Sequence, residues 1–138
     1  MRTAVDTNVI SALWSREPLS GEMARRLGEA EMEGGLVISA PVYAELLAHP
    51  KATAGFVDGF LADTNVVVDF DLDEAVWREA GGCFAQYAER RRRSGSSHPK
   101  RLLVDFLIGA HAYLRADRLL TLDGSRYSQS FPQLRLGP

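Results

Sequence analysis

Cysteine and long apolar runs are nearly missing from the sequence, and their scarcity excludes several protein classes. The 138 residues include one cysteine, Cys83, which cannot form an internal disulfide, and no Cys/His cluster has zinc-ligand spacing. A disulfide-stapled secreted scaffold is therefore excluded, and we expect a reducing cytoplasm. No apolar run approaches the ~20 residues of a membrane span, and Asp6 interrupts the stretch that a secretory signal needs apolar. We expect neither a membrane span nor a signal peptide.

Lysine is also scarce, and the basic residues are unevenly placed. Of 16 basic residues only Lys51 and Lys100 are lysine. Residues 1–89 contain 6 basic and 15 acidic side chains, whereas residues 90–138 contain 10 basic and 3 acidic ones. This asymmetry suggests a polyanionic partner for the second half, although a solvated face with a basic loop explains it equally simply.

Short apolar runs alternate with helical patterns along the chain. Apolar residues make up 46% of the sequence, and the length suits one domain spanning residues 1–138. Because the runs do not alternate with polar residues, they are typical of strands covered on both faces. We predict strands at residues 3–5, 36–38, 66–68 and 119–122, with a short edge strand at 134–136. The predicted helices lie at about 9–14, 21–33, 42–48, 51–62, 72–92 and 100–115, the first capped by Asp6 or Thr7 and the third by Ser39.

This order of elements predicts a three-layer α/β/α domain with a mainly parallel sheet. In such a sheet, functional sites form at the carboxyl ends of the strands. Asp6 and Asp123 each follow an apolar strand and so belong to that edge. Taken singly, Asp6 also suits a helix cap and Asp123 a turn.

Two further acids lie in helices that are apolar on every side. Glu45 lies among residues 42–48 and Asp105 among residues 102–110. A helix without a polar face is predicted to be buried, and a buried carboxylate needs a cation or several hydrogen-bond donors. For Asp105 alone, an ion pair with Arg101 at i−4 is an equally good explanation.

Together the four carboxylates predict one acidic pocket. Clustered carboxylates repel one another, and Mg²⁺ or Mn²⁺ is the usual counter-charge in proteins. A cation held in this way can activate water and bind phosphate oxygens, which is the chemistry of phosphodiester hydrolysis.

Four segments, in order along the chain, resemble PIN-domain ribonucleases, specifically the VapC-type toxins of bacterial toxin–antitoxin pairs. They are AVDTNVI at residues 4–10, ISAPVYAEL at 38–46, VDFLIGAHA at 104–112 and LTLD at 120–123. The resemblance implies a PIN-like domain with a metal site formed by Asp6, Glu45, Asp105 and Asp123. It also implies supporting roles for Asn8 and Thr121, which would orient the acids and a bound water.

The implied activity is a metal-dependent endoribonuclease, with RNA as substrate, an antitoxin protein as partner, and a homodimer as the assembly. The sequence departs from the family pattern where many relatives carry another acid and then Phe, because Ser125 and Tyr127 stand there. Two other functions stay open: a catalytically silent PIN-like binding module, and a PIN nuclease of RNA processing that is not a toxin.

One segment is strongly basic. Six cations and no acid lie within twelve residues, and they are Arg90, Arg91, Arg92, Arg93, Lys100 and Arg101. Such a segment suits contacts with RNA phosphates, which are electrostatic and need little sequence specificity. A solvated helix end, where cations complement the helix dipole, and a binding site for an acidic antitoxin are the alternatives.

Overall fold

A computed structural model describes residues 1–95 and 101–137. Within these residues the chain forms a four-stranded sheet in the order β3-β2-β1-β4, and every neighbouring pair is parallel. The strands are β1 (Thr3–Val5), β2 (Leu36–Ser39), β3 (Val66–Asp69) and β4 (Arg118–Leu120). Ala4 pairs with Val37 on one side and with Leu119 on the other, so β1 lies between β2 and β4.

Seven helices flank the sheet in the described part of the chain. They are α1 (Thr7–Trp14), α2 (Ser20–Gly34), α3 (Ala40–Leu47), α4 (Ala54–Asp63), α5 (Glu74–Arg93), α6 (Leu103–Arg115) and α7 (Gly124–Ser130). The predicted three-layer α/β/α architecture with a parallel sheet is confirmed.

The core follows from the apolar strands. Every residue of β1, β2 and β4 is buried, and Val37 and Ile38 are fully inaccessible. Covering such a side chain on both sides contributes ~1.5–3 kcal/mol relative to leaving it in water. This explains why continuous apolar runs, rather than alternating ones, form this sheet.

The first strand leads directly into the first helix through Asp6. The backbone of Asp6 is extended, and its carboxylate accepts a hydrogen bond from the Thr7 amide at 2.8 Å, which starts α1. Ser39 occupies the equivalent position before α3 as predicted, but its hydroxyl makes no capping bond. Pro41 in the first turn of α3 needs no amide donor and suits that position instead.

The C-terminal part of the described chain differs from the prediction in two ways. Residues 124–130 form α7, a helix that the sequence did not indicate. The segment at 134–136 lies beside β4 but forms only an isolated bridge between Leu119 and Leu136. Phe131, which follows α7, packs against α6 because Gly109 has no side chain: a Cβ atom there would clash with the ring of Phe131.

In the residues that the structure describes, no helix is both long and apolar enough to cross a membrane.

Candidate functional site

Asp6 is the deepest of the four predicted acids. It lies at the carboxyl end of β1 with 4% of its surface exposed. One carboxylate oxygen accepts the Thr7 amide and the other accepts the Thr121 hydroxyl, both at 2.8 Å. Burial raises the pKa of Asp6, the Thr121 hydrogen bond opposes that rise, and the nearby Asp105 charge adds to it. The carboxylate is thus held in place yet costly to keep charged.

Thr121 and Asn8 connect the end of β4 to the start of α1. The Thr121 hydroxyl accepts hydrogen bonds from the Asp123 amide at 3.1 Å and from the Asn8 side chain at 3.4 Å. The Asn8 carbonyl oxygen in turn accepts the Leu122 amide at 3.1 Å. The network fixes the segment from Thr121 to Asp123 relative to Asp6.

Glu45 approaches the same edge from α3. Its carboxylate accepts the Thr7 hydroxyl at 2.5 Å. Loss of solvation raises the pKa of Glu45, the Thr7 hydrogen bond lowers it, and repulsion from Asp6 and Asp105 raises it further. The prediction that Glu45 lies in a buried helix is wrong. Only Val42 and Leu46 of α3 are buried. The opposite side of this helix is not covered by another element in the described chain, so Glu45 is open to solvent.

Asp105 lies in the first turn of α6, before the fully buried stretch that runs from Phe106 to Ala112. Its side chain is 18% exposed, so the predicted complete burial is wrong for this residue as well. The alternative explanation for Asp105, an ion pair with Arg101, is also wrong, because Arg101 approaches Asp123 instead. Helix α6 begins at Leu103, so Arg101 precedes it and the i, i+4 spacing on a helix surface does not apply. The partner of Asp105 is Arg126, whose Nη1 lies 3.3 Å from Oδ1.

Asp123 lies just before α7 and faces two arginines. Its Oδ2 is 2.9 Å from Nε of Arg126 and 4.0 Å from Nη1 of Arg101. In the shorter contact the two charges are close, but the N–H group is not aligned as in a hydrogen bond. Nε of Arg126 is therefore buried without a hydrogen-bond partner. Arg126 therefore bridges Asp105 and Asp123, but its geometry is imperfect.

Helix α7 also places Tyr127 beside Asp6. Tyr127 is 1% exposed, and its hydroxyl lies near enough to lower the pKa of Asp6, although no acceptor has full hydrogen-bond geometry. Burial, followed by the charges of Asp6 and Asp105, raises the pKa of Tyr127. Sequence reasoning missed the contacts of Arg126 and Tyr127 because it missed α7. The substitution of Tyr for the family's Phe was the one available signal.

The geometry and the chemistry of the four acids differ in how well they suit a divalent cation. In residues 1–95 and 101–137, no three acidic, histidine or cysteine side chains are arranged closely enough to hold a metal ion. The four predicted acids nevertheless offer only carboxylate oxygens as ligands, which hard cations prefer. The negative charges of three of these acids repel one another. Two buried polar atoms without partners, Nε of Arg126 and the Tyr127 hydroxyl, also lie here. The donor chemistry fits Mg²⁺ or Mn²⁺, with Arg126 as a competing cation.

The basic residues that the structure describes differ in their contacts. Arg90, Arg91, Arg92 and Arg93 end α5, where they complement the helix dipole, and Glu89 pairs with Arg92 at 2.7 Å and with Arg93 at 3.2 Å. Lys100 lies outside the described residues. Arg101 contacts both regions: its guanidinium lies 4.0 Å from Asp123, and its amide donates to the hydroxyl of Tyr87 on α5 at 2.7 Å.

Comparisons with known proteins identify the fold and the family of the chain. A comparison with curated protein sequences found no match. Among solved structures, the 2.2 Å structure of VapBC-1 from nontypeable Haemophilus influenzae contains a similar fold, with a TM-score of 0.62 and 20% sequence identity. The match covers 99% of this chain and 96% of that chain. The family model for the PIN domain matches residues 3–128. Because that match extends from β1 into α7 and includes all four acids, the chain belongs to the PIN domain family.

Proposed function

We propose that the protein is a metal-dependent endoribonuclease that acts as the toxin of a toxin–antitoxin pair. The observation that carries this proposal is the convergence of Asp6, Glu45 and Asp105 at one edge of the sheet in a PIN domain. Their charges repel one another, although they come from β1, α3 and α6. A chain that needed only a stable fold gains nothing from this repulsion, whereas a cation bound by these acids would relieve it.

In the proposed reaction, Asp6, Glu45, Asp105 and Asp123 would hold Mg²⁺ or Mn²⁺. When bound, such an ion supplies positive charge for phosphate oxygens and lowers the pKa of a water molecule. Thr121 keeps the Asp6 carboxylate in one orientation, and Asn8 keeps Thr121 and the following loop in register. Glu45 is the acid most open to solvent among these four.

The toxin assignment rests on the likeness to the VapBC-1 structure and on surfaces that suit a protein partner. A cleft of about 370 Å³ lies between α1, α2 and α4, with Leu13, Leu27 and Phe60 among its lining residues. Leu47 and Phe70 are large apolar side chains left exposed in this chain. We propose that an antitoxin occupies the cleft, that the exposed apolar surface serves a homodimer, and that the protein acts in the cytoplasm.

A catalytically silent binding module is the second candidate, and the ion pairs of Arg126 with Asp105 and Asp123 favour it. Cleavage of a total RNA pool, mapped by end sequencing with Mg²⁺ and with EDTA, separates the two. We expect cleavage with Mg²⁺ that leaves 5′-phosphate and 3′-hydroxyl ends and that stops in EDTA.

The matched variants are Asp6→Asn and Asp71→Asn. Asp6→Asn keeps the side-chain shape but weakens a hard-cation site, and we expect cleavage to fall by more than ~100-fold. Asp71 is an exposed acid in the loop after β3, so Asp71→Asn should cleave like the wild type. Cleavage that persists in EDTA, or cyclic phosphate ends, contradicts the proposed mechanism. No cleavage under any condition supports the silent module.

A further inference from the structure

We propose that Arg126 is a resident counter-ion that a divalent cation must displace from Asp105 and Asp123, so that this residue sets the metal affinity of the site. The inference rests on the proposed function, because it takes these acids as metal ligands. It concerns a residue to which neither the sequence pattern nor the family match gives a role.

The position of the guanidinium supports this inference. Arg126 lies in α7, two residues after its first residue, Gly124. Its side chain reaches two acids that are far apart in the sequence, one at the start of α6 and one after β4. Its Nη1 is 3.3 Å from Asp105, and its Nε is 2.9 Å from Asp123. A cation that approached Oδ1 of Asp105 and Oδ2 of Asp123 would meet the guanidinium at the same two oxygens. At these two atoms Arg126 and a metal ion would compete.

The contacts of Arg126 are also weak enough to be exchanged. An arginine that serves a permanent structural pair normally aligns its N–H groups with both carboxylates. Here only the contact with Asp105 has hydrogen-bond geometry, and Nε is buried without a partner although Asp123 is close. The side chain is 33% exposed, so it has access to solvent and can leave the acids without unfolding α7.

The charge balance favours displacement when metal is present. Arg126 carries one positive charge against two paired carboxylates, and the neighbouring charges of Asp6 and Asp105 still raise the pKa of Glu45. A divalent cation supplies twice that charge to the same groups. Arg126 thus compensates only part of the negative charge of the acids in the metal-free state. Its removal should lower the stability of that state and make metal binding tighter.

The test is direct binding of Mn²⁺, measured by titration calorimetry without RNA, to the wild type and to Arg126→Gln. We expect Arg126→Gln to bind Mn²⁺ about 3- to 30-fold more tightly, the range that the loss of two partly exposed ion pairs gives. Arg126→Lys retains the charge and should stay within about threefold of the wild type. Arg78→Gln is the matched control, because it removes one arginine from an exposed pair with Glu74 on α5 and should change nothing.

Thermal unfolding provides a second readout. In EDTA, Arg126→Gln should melt below the wild type, since Asp105 and Asp123 lose their counter-charge. The difference in melting temperature between the two proteins should shrink at saturating Mn²⁺. Mn²⁺ and the guanidinium of Arg126 compete for the same acids, so each weakens the stabilising effect of the other. The inference is overturned if Arg126→Gln binds Mn²⁺ no more tightly than the wild type, or if Arg78→Gln tightens binding equally.

Asp6→Asn distinguishes failure of this inference from failure of the proposed function. If the wild type binds Mn²⁺ and Asp6→Asn does not, the metal site stands and only the role of Arg126 is in question. If the wild type binds no Mn²⁺ and Arg126→Gln binds none either, the metal site itself is refuted, and the competition between Arg126 and metal is refuted with it.

Discussion

Thr121→Val tests whether the network behind Asp6 positions that acid or merely stabilises the fold. Valine has nearly the same shape as threonine, so the substitution removes one hydroxyl and leaves the packing intact. That hydroxyl donates to Asp6 at 2.8 Å and accepts from the Asp123 amide and the Asn8 side chain. Three groups of the site therefore lose a partner at once.

The expected loss of stability follows from these bonds. A hydrogen bond to a charged group contributes about 1.5–3 kcal/mol, and a polar group left without a partner costs about 1–3 kcal/mol when buried. Thr121 is half-buried, so water replaces part of what is lost. We expect the free energy of unfolding to fall by about 2–4 kcal/mol in EDTA. For a chain of this length, a loss of that size lowers Tm by roughly 6–15 °C.

Activity should report the positioning role separately. Loss of a group that orients a metal ligand typically costs about 10- to 100-fold in activity or metal affinity. The Thr121 hydrogen bond lowers the pKa of Asp6, so its removal raises that pKa and shifts the rise of the pH–rate profile to higher pH. Thr121→Ser restores the hydroxyl and should restore the profile. Thr64→Val is the control, since it removes a half-buried hydroxyl that donates to the Phe60 carbonyl on α4.

The pH profile decides the outcome. If Thr121→Val loses stability but keeps the wild-type pH–rate profile and metal affinity, Thr121 has only a structural role. If Thr64→Val shifts the profile equally, the effect does not arise at Asp6.

Three further predictions concern stability and binding. The pKa values of Asp6 and Glu45 are raised above 3.8 and 4.5, so in EDTA thermal stability should increase as the pH falls from 7 towards 4, and Asp6→Asn should remove most of that trend. Replacing residues 91–93 with glutamine should weaken RNA binding and flatten the slope of log affinity against log salt by ~0.7 per lost phosphate contact; an unchanged slope would leave this segment as a solvated helix end. Gly109→Ala should lower stability by about 1–3 kcal/mol despite alanine's higher helix propensity, because the new methyl group meets the buried ring of Phe131; chemical denaturation that shows a gain would contradict this packing.

The sheet was predictable because its strands are short, continuous and apolar. Val37 and Ile38 carry that pattern, and Asp6 and Ser39 mark where strands end and helices begin. Burial on both faces leaves such runs few alternatives to a parallel sheet. The expectation that apolar residues are buried was wrong for α3. An apolar helix surface in a single chain is not necessarily covered, and Glu45 lies beside such an uncovered surface.

The surroundings of the acids were less predictable. Helix α7 has a polar sequence that follows Asp123-Gly124, a pair typical of turns, so local preferences did not indicate a helix there. Without α7, nothing placed Arg126 near Asp105 or Tyr127 near Asp6. Helical spacing made Arg101 an alternative partner for Asp105, but the helix begins after Arg101, and helix boundaries are the least certain feature that a sequence provides.

The neighbouring positions of β1 and β4 have a consequence for protein synthesis. These are the first and last strands of the described chain, and Thr121 follows its partner Asp6 by 115 residues. At ~5–20 residues per second, the ribosome adds Thr121 roughly 6 to 23 seconds after Asp6. During that interval β1 has an open edge and Asp6 lacks the hydroxyl that orients it. The acidic pocket therefore forms only after the C-terminal segment has left the exit tunnel, whereas helices α1–α4 are exposed to any partner earlier.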